Sequence, residues 1–322
     1  MKIGSESSRV LRVHQKTWEA QGITSVTFVH PQGEPLPRWE PGAHLSLHLP
    51  NGLVREYSLC SDPDDTSHWT VAVLRVAESR GGSSLIHDQL PIGEEILVDG
   101  PRNLFQLDET KPRHLLIAGG IGITPVIAMT RALQAKGADW HLLYTGRARE
   151  LMAFVDEIVA LPKDRVTVHV DDEVGGFADI STIVGATDDD TLVYCCGPAA
   201  LMEQVEISIA DTERLRLERF RAPDPVLADP ESPDRDFDVL INSTGERIHV
   251  ASDVSVLDAL AAAGHDVPSS CTEGICGTCE TGVLGGEIDH RDFLLSDEEK
   301  ESGETMCVCV SRCRSAELIL DL

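Results

Sequence analysis

Six of the nine cysteines fall within the last 52 residues of the chain, between Cys271 and Leu322. Three of them follow the pattern Cys271-x4-Cys276-x2-Cys279, and Cys309 follows after 29 intervening residues. That spacing is the plant-type arrangement for a 2Fe-2S cluster, in which four soft thiolates hold two irons bridged by sulfide. Gly274 and Gly277 lie inside the loop and permit the tight turns that bring backbone amides close to the sulfurs, where hydrogen bonds moderate negative charge. A structural zinc site is the competing chemistry, but zinc ribbons present two separated knuckles, whereas Cys271 stands five residues before a single CxxC. Cys307 and Cys309 are one residue apart, so spacing alone leaves the fourth ligand open between them.

A second group of residues could handle a nucleotide. Gly119-Gly120-Ile-Gly122-Ile-Thr124-Pro125 lies between an apolar run and an apolar helical stretch, where bare glycines let a pyrophosphate approach a helix N-terminus. Thr124 is placed to cap that helix and Pro125 to sit in its first turn. Because the full Gly-x-Gly-x-x-Gly fingerprint is not met, a tight packing turn is the bland alternative. Cys196-Gly197-Pro198 ends a later strand, on the sheet edge where α/β ligands collect. A compact thiol there would border a planar nicotinamide, or else simply be buried before a turn. Nearer the N-terminus, Arg55, Tyr57 and Ser58 sit in one extended segment, with Arg55 and Tyr57 on the same face. A cation for phosphate and a ring for a planar cofactor would thus point together. Arg80-Gly81-Gly82-Ser83 offers a second phosphate loop, and an ordinary surface turn is its alternative.

Elements able to position these residues are legible in the hydrophobic rhythm. Ser25 to Val29, His44 to Leu49 and His68 to Val76 alternate as half-buried strands separated by Pro-Gly-rich turns, which predicts a small antiparallel β-barrel. From about Pro112 the rhythm changes. Short continuous apolar strands at His114 to Ala118, His141 to Tyr144, Val166 to Val170 and Thr191 to Tyr194 alternate with helices, which predicts an α/β domain with a parallel sheet. A helix over about Ala199 to Ala210 closes that unit in this reading. Four prolines between Arg221 and Arg235 mark a semi-stiff tether. Beyond it come a hairpin around Ser243-Thr-Gly245 and a helix from Val254 to Ala263. The division is therefore 1-108 for the barrel, 109-222 for the α/β domain, 223-235 for the linker and 236-322 for the cysteine-bearing domain.

The chain has 322 residues and a formal charge of -27, so binding to nucleic acid or anionic lipid would work against long-range repulsion. No stretch approaches the roughly 20 apolar residues of a spanning helix, and the N-terminus lacks the apolar run of an export signal. The expectation is a soluble, cytoplasmic protein, in which clustered cysteines bind metal rather than form disulfides.

Taken with their order along the chain, these motifs resemble the phthalate dioxygenase reductase family, including its vanillate O-demethylase reductases. The resemblance spans nearly the whole chain: a flavin barrel, a pyridine-nucleotide α/β domain, then a β-grasp plant-type ferredoxin domain. Arg55-x-Tyr57-Ser58 matches the family's flavin motif, and Arg80-Gly81-Gly82-Ser83 its FMN-phosphate segment, which favours FMN over FAD. Gly119 to Pro125 and Cys196-Gly197-Pro198 match its nucleotide signatures. Glu218-Arg-Phe220 resembles the segment that brings an aromatic ring to the flavin, so Phe220 is the expected ring-packing residue and Cys196 the thiol shaping the nicotinamide site. Cys309-Val-Ser-Arg312 resembles the segment with the fourth cluster ligand, which favours Cys309, although flanking Cys307 and Cys313 depart from simpler examples. The resemblance implies that NADH, less readily NADPH, delivers a hydride to FMN, and that electrons pass singly through the 2Fe-2S cluster to a terminal oxygenase. The implied partner is a Rieske-type oxygenase. A cytochrome P450 partner and a non-enzymatic electron carrier or redox sensor are the competing readings. Arg147 and Arg149 stand after the Tyr144 strand, where they would meet the extra phosphate of NADPH or else be solvated charges.

Overall fold

In the computed structural model, residues 8–76, 81–222 and 234–322 are described, and the chain divides into two compact units, Met1–Arg219 and Phe220–Leu322. Among the described residues no helix is long and apolar enough to cross a membrane.

The first unit begins with strands Arg9–Ala20 (β1), Ile23–Val29 (β2), Ala43–His48 (β3), Val54–Ser58 (β4) and Trp69–Leu74 (β5), then helix Gly82–Asp88 (α1) and strand Glu95–Asn103 (β6). They form an antiparallel sheet in the order β4-β3-β6-β1-β2-β5. A bridge between Leu59 and Val71 joins its two edges, so the sheet closes into the expected barrel. Closure removes the exposed strand edges that would otherwise invite pairing. Alternate residues point inward, and Leu11, Val13, Val26, Phe28, Leu45, Leu47, Trp69 and Val71 are fully buried there. β1 escapes a pattern search because its outer half carries Lys16 and Trp18. The Lys16 ammonium donates to the carbonyls of Ile86, His87 and Leu90, which tie off the end of α1.

The same unit continues with Arg113–Gly119 (β7), Ile123–Ala135 (α2), Asp139–Gly146 (β8), Val155–Val159 (α3), Val166–Val170 (β9), Asp171–Val174 (α4), Ile180–Gly185 (α5), Thr191–Cys196 (β10), Ala199–Ser208 (α6) and Leu215–Glu218 (β11). All five strands are parallel, ordered β11-β10-β7-β8-β9. The expectation that α6 closes this domain is corrected here, because the chain returns after it as β11 and pairs with β10 from Val193–Leu215 to Cys196–Glu218. α2 is buried on most of its surface, from Ile123 to Thr130 and at Leu133, which explains its unbroken apolar sequence. Its Ala128 packs into the barrel core while Val126, Ile127 and Met129 pack into the α/β core. Arg131 extends the join, with Nη1 donating to the Ser61 carbonyl at 3.0 Å and a two-pronged pairing to Glu157 at 2.7 and 2.8 Å.

The second unit contains Phe237–Ile241 (β12), Arg247–Val250 (β13), Val256–Ala262 (α7), Glu280–Gly285 (β14), Ile288–Asp289 (β15), Asp297–Ser302 (α8), Thr305–Cys307 (β16), Arg312–Cys313 (β17) and Glu317–Leu320 (β18). Its mixed sheet runs β13-β12-β18-β14-β16, with the hairpin partners antiparallel and the first and last strands, β12 and β18, parallel at its centre. α7 starts at Ser255, whose hydroxyl accepts the amide of Asp258, and lays Val256, Leu257, Ala259 and Leu260 onto the sheet. This is the β-grasp expected for the cysteine-bearing domain. All four prolines of the tether lie outside the described residues. Its described end is fastened by Asp234, which pairs with Arg291 and Arg312.

Candidate functional site

The glycine turn after β7 and the turn after β10 are pressed together, and glycine is what allows it. A Cβ on Gly122 would stand 2.2 Å from the Cys196 carbonyl oxygen, and one on Gly119 would stand 2.7 Å from both Pro198 and Leu201. A Cβ on Gly197 would in turn meet the Gly119 backbone at 3.0 Å. Gly120 differs, with φ of +54° and nothing within 4 Å of its Cβ position. Three glycines therefore fuse two strand ends, and the fourth leaves an open backbone approach at the C-terminal edge of the sheet. Such an edge suits a dinucleotide pyrophosphate. Thr124 does not cap α2. The helix begins one residue earlier, and the Thr124 hydroxyl donates back to the Ile121 carbonyl at 3.1 Å, while Pro125 occupies the first turn as expected.

Cys195 and Cys196 point into different cores, as strand alternation requires. Cys196 is 1% exposed, and burial, then the nearby Glu218 carboxyl, holds its thiol well above the usual range. Glu218, at the end of β11, opens the Glu218-Arg-Phe220 segment, but its own role is not legible in the sequence. Its Oε2 lies 3.4 Å from the Ser58 hydroxyl on the barrel strand β4 and 4.0 Å from the Cys196 sulfur. Burial pushes its pKa up to about 8, so the side chain is a carboxylic acid at neutral pH. Ser58, Cys196 and Glu218 thus bring together the barrel strand β4, the α/β-domain strand β10 and the late strand β11. His44 faces Ser58 across the β3–β4 register, is deeply buried, and has no hydrogen-bond partner for Nε2 among the described residues. Burial followed by the Arg102 charge lowers its pKa to about 3, so the ring is neutral.

Arg55 and Tyr57 occupy the other face of β4. Gly82 is bare beneath Arg55: a Cβ there would stand 2.7 Å from Arg55 Cγ and 2.9 Å from Nε. The Arg55 side chain lies over that glycine and its Nη1 donates to the Val54 carbonyl at 2.7 Å; in the same loop Gly81, with φ of +95°, precedes α1, and the Ser83 hydroxyl accepts the Val76 amide at 3.2 Å. Arg80 lies outside the described residues. Tyr57 packs against the barrel core, and burial pushes its phenol up to about 12. This arginine cradle, with an aromatic ring, a neutral acid and an orphaned buried imidazole nitrogen, fits a flavin mononucleotide. Phe220, at the start of the second unit, is 41% exposed.

In the second unit the loop Cys271 to Cys279 turns through three left-handed residues, Thr272, Gly274 and Gly277, with φ of +56°, +70° and +70°. The Glu273 amide donates to the Cys271 sulfur at 3.3 Å. Among the described residues no three metal-ligating side chains gather around one point, as a mononuclear site would require. The thiols instead meet as a pair and a trio. Cys276 donates to Cys271, which with the loop amides lowers Cys271 to about 6, and Cys307 and Cys309 both donate to Cys279, lowering it to about 3. Soft donors gathered at two places around an amide-lined loop fit a 2Fe-2S cluster. Cys309 also receives the Gly274 amide and feels Cys271, whereas Cys307 faces Cys279, Asp292 and Cys309. Cys309 is thus the one turned toward the loop.

Comparison with known proteins agrees with this anatomy. Residues 239–314 match the 2Fe-2S iron-sulfur cluster binding domain family, and residues 116–206 match the oxidoreductase NAD-binding domain family. The chain is 43% identical over 310 residues to a vanillate O-demethylase oxidoreductase of Pseudomonas sp. strain HR199, covering 94% of this chain and 96% of that one. A solved phthalate dioxygenase reductase, described as a modular structure for electron transfer from pyridine nucleotides to [2Fe-2S], is 38% identical with a TM-score of 0.73 and 98% of both chains covered. An intact type IV self-sufficient cytochrome P450 monooxygenase superposes with a TM-score of 0.89 at 40% identity. It covers 98% of this chain, which spans only 41% of that longer protein.

Proposed function

The chain belongs to the phthalate dioxygenase reductase family, and from that premise we propose that it is the NADH-dependent reductase of a Rieske-type oxygenase. It is an NAD(P)H-dependent flavin and iron-sulfur oxidoreductase whose electron acceptor is an oxygenase component, which sets aside the non-enzymatic carrier. The observation that carries the hydride transfer in this reading is the meeting of Ser58, Cys196 and Glu218, because it joins the flavin strand to the nucleotide strand within one unit. FMN, when bound, takes both electrons of a hydride and passes them singly to a cluster that accepts one at a time. The chain's own residues would arrange that exchange. Arg55, with the Arg80 to Ser83 loop, would hold the phosphate, and Tyr57 and Phe220 would pack the ring. Gly119, Gly120, Gly122, Thr124 and Pro125 would receive the pyrophosphate. Cys196, Gly197 and Pro198 would border the nicotinamide, with neutral Glu218 holding a proton beside it. Cys271, Cys276, Cys279 and Cys309 would ligate the cluster.

Anaerobic titration with NADH, monitored by visible absorption and electron paramagnetic resonance, tests the pathway. The expected result is bleaching of the bound flavin, identified as FMN on release from a denatured sample, together with a reduced 2Fe-2S signal. FAD as the sole released flavin, or a cluster that stays oxidised under NADH, would refute it. The likeness to the self-sufficient P450 supports a second partner class. Reconstitution with purified Rieske and P450 oxygenases separates them, and turnover with the P450 alone would overturn the Rieske assignment. The expected site of action is the cytoplasm.

A further inference from the structure

We propose that Glu173 selects the coenzyme by occupying Arg149, so that a 2′-phosphate is refused and NADH is preferred to NADPH. The inference rests on the nucleotide reading above and adds to it a specificity-determining residue. Its starting point is direction. The turn after β7 and the Cys196 turn after β10 lie side by side, and the strand order reverses between those two strands. A dinucleotide with its pyrophosphate at Gly119 to Gly122 and its nicotinamide beside Cys196 must extend its adenosine half the other way, over the ends of β8 and β9.

Those two ends stand level, since Gly146 pairs with Val170. The segments leaving them remain in contact, with the Asp172 amide donating to the Arg147 carbonyl at 3.0 Å. From β8 come Arg147 and Arg149, and from β9 comes α4, whose first three residues are Asp171, Asp172 and Glu173. Arg149 would be the natural partner for a 2′-phosphate, because an arginine near this position accommodates that group. Its planar fork is already engaged: Nε and Nη2 donate to the two Glu173 oxygens at 2.7 and 2.8 Å. A dianionic phosphate would have to displace a carboxylate of its own sign and approach two more acidic side chains. The 2′-hydroxyl of NADH carries no charge and meets no such opposition. The pair is about half exposed, so it adds little to stability, and its consequence is felt only by a charged ligand placed against it.

The test compares Glu173→Ala, Arg149→Ala and the double variant as flavin-loaded full-length proteins. Two measurements are made: the ratio of kcat/KM for NADPH and NADH, and the Kd of adenosine 2′,5′-bisphosphate against adenosine 5′-monophosphate by calorimetry. Glu173→Ala should raise the NADPH to NADH ratio and tighten the bisphosphate by about fivefold, the scale of one solvent-screened charge contact of about 1 kcal/mol. The double variant should lose that gain, and Arg149→Ala alone should leave the NADH rate within about twofold, since the residue only meets the extra phosphate. A wild-type preference for NADPH, an unchanged ratio in Glu173→Ala, or a gain that survives in the double variant would each overturn the proposal. Failure of the wild-type protein to reduce its flavin with either coenzyme would instead strike the functional reading beneath it.

Discussion

Gly122→Ala is the sharpest test of the fused turns. An added methyl would lie 2.2 Å from the Cys196 carbonyl oxygen, 2.4 Å from its carbon and 2.8 Å from the Gly197 nitrogen. Carbon and carbonyl oxygen come to rest near about 3.4 Å, so one turn must retreat from the other by about 1 Å. Every opposing atom is backbone, so no side chain can swing aside to absorb the change. Overpacking of this kind costs about 1–3 kcal/mol of stability. The larger effect is expected on catalysis, because a displacement of about 1 Å between reacting groups can cost about 100-fold in rate. Stopped-flow reduction by NADH should therefore show kcat/KM lowered by about that factor, with flavin content near normal. Gly120→Ala is the comparison within the same motif. It has open space around its Cβ position but a left-handed φ of +54°, so it should cost about 1 kcal/mol of stability through the backbone and raise KM more than it lowers kcat. Gly122→Ala with NADH kinetics within twofold of wild type would refute the claim that these two turns position the coenzyme.

Cys276→Ser should remove the 2Fe-2S signal while leaving NADH reduction of the flavin at half or more of its rate, and an intact signal at full intensity would remove Cys276 from the ligand set. Glu218 has a folded-state pKa of about 8 against an ordinary 4.5, so the folded chain keeps a proton that the unfolded chain has released between those values. Stability of the first unit should therefore fall as pH rises from about 4.5 to about 8 and level off above, and Glu218→Gln should flatten that slope. Denaturant titrations at a series of pH values measure it, and an unchanged slope in the variant would contradict the buried neutral acid. From Asp236 to Leu322 the chain carries 18 acidic and five basic side chains, which favours a basic face on the oxygenase. Added salt should slow association with the oxygenase while leaving NADH-to-flavin transfer unchanged, and an association rate that is flat or rising across rapid-mixing experiments would reject that electrostatic role.

What could be read from the sequence was whatever repeats locally. The cysteine loop, the glycine turn, the parallel strands and the hairpin after the tether are each written in a few consecutive residues with a fixed period or spacing, and each is found where that spacing places it. β1 was missed because Lys16 and Trp18 interrupt its alternation, and Lys16 is there to hold the end of α1, some 70 residues away in sequence. Thr124 has the right residue type for a cap, but the cap position lies two residues earlier, at Gly122, a glycine pressed against Cys196.

Glu218 is the instructive absence. It lies in a four-residue strand, Leu215–Glu218, that alternates Leu with Arg or Glu and reads as a solvent-facing edge. Its burial is a property of two partners, Ser58 on the barrel and Cys196 on the neighbouring strand, that are 160 and 22 residues distant in sequence. A charge that far from its environment leaves no local signature. The motifs that are legible, Arg55-x-Tyr57-Ser58 and Cys196-Gly197-Pro198, each supply one wall of the place where it sits. Register then does the rest: β11 pairs with β10 so that Glu218 falls opposite Cys196, and a slip of two residues would move the acid past the strand end toward water. The proton-holding group of this site is therefore specified by strand pairing rather than by motif, which is why it appears only once the chain is folded.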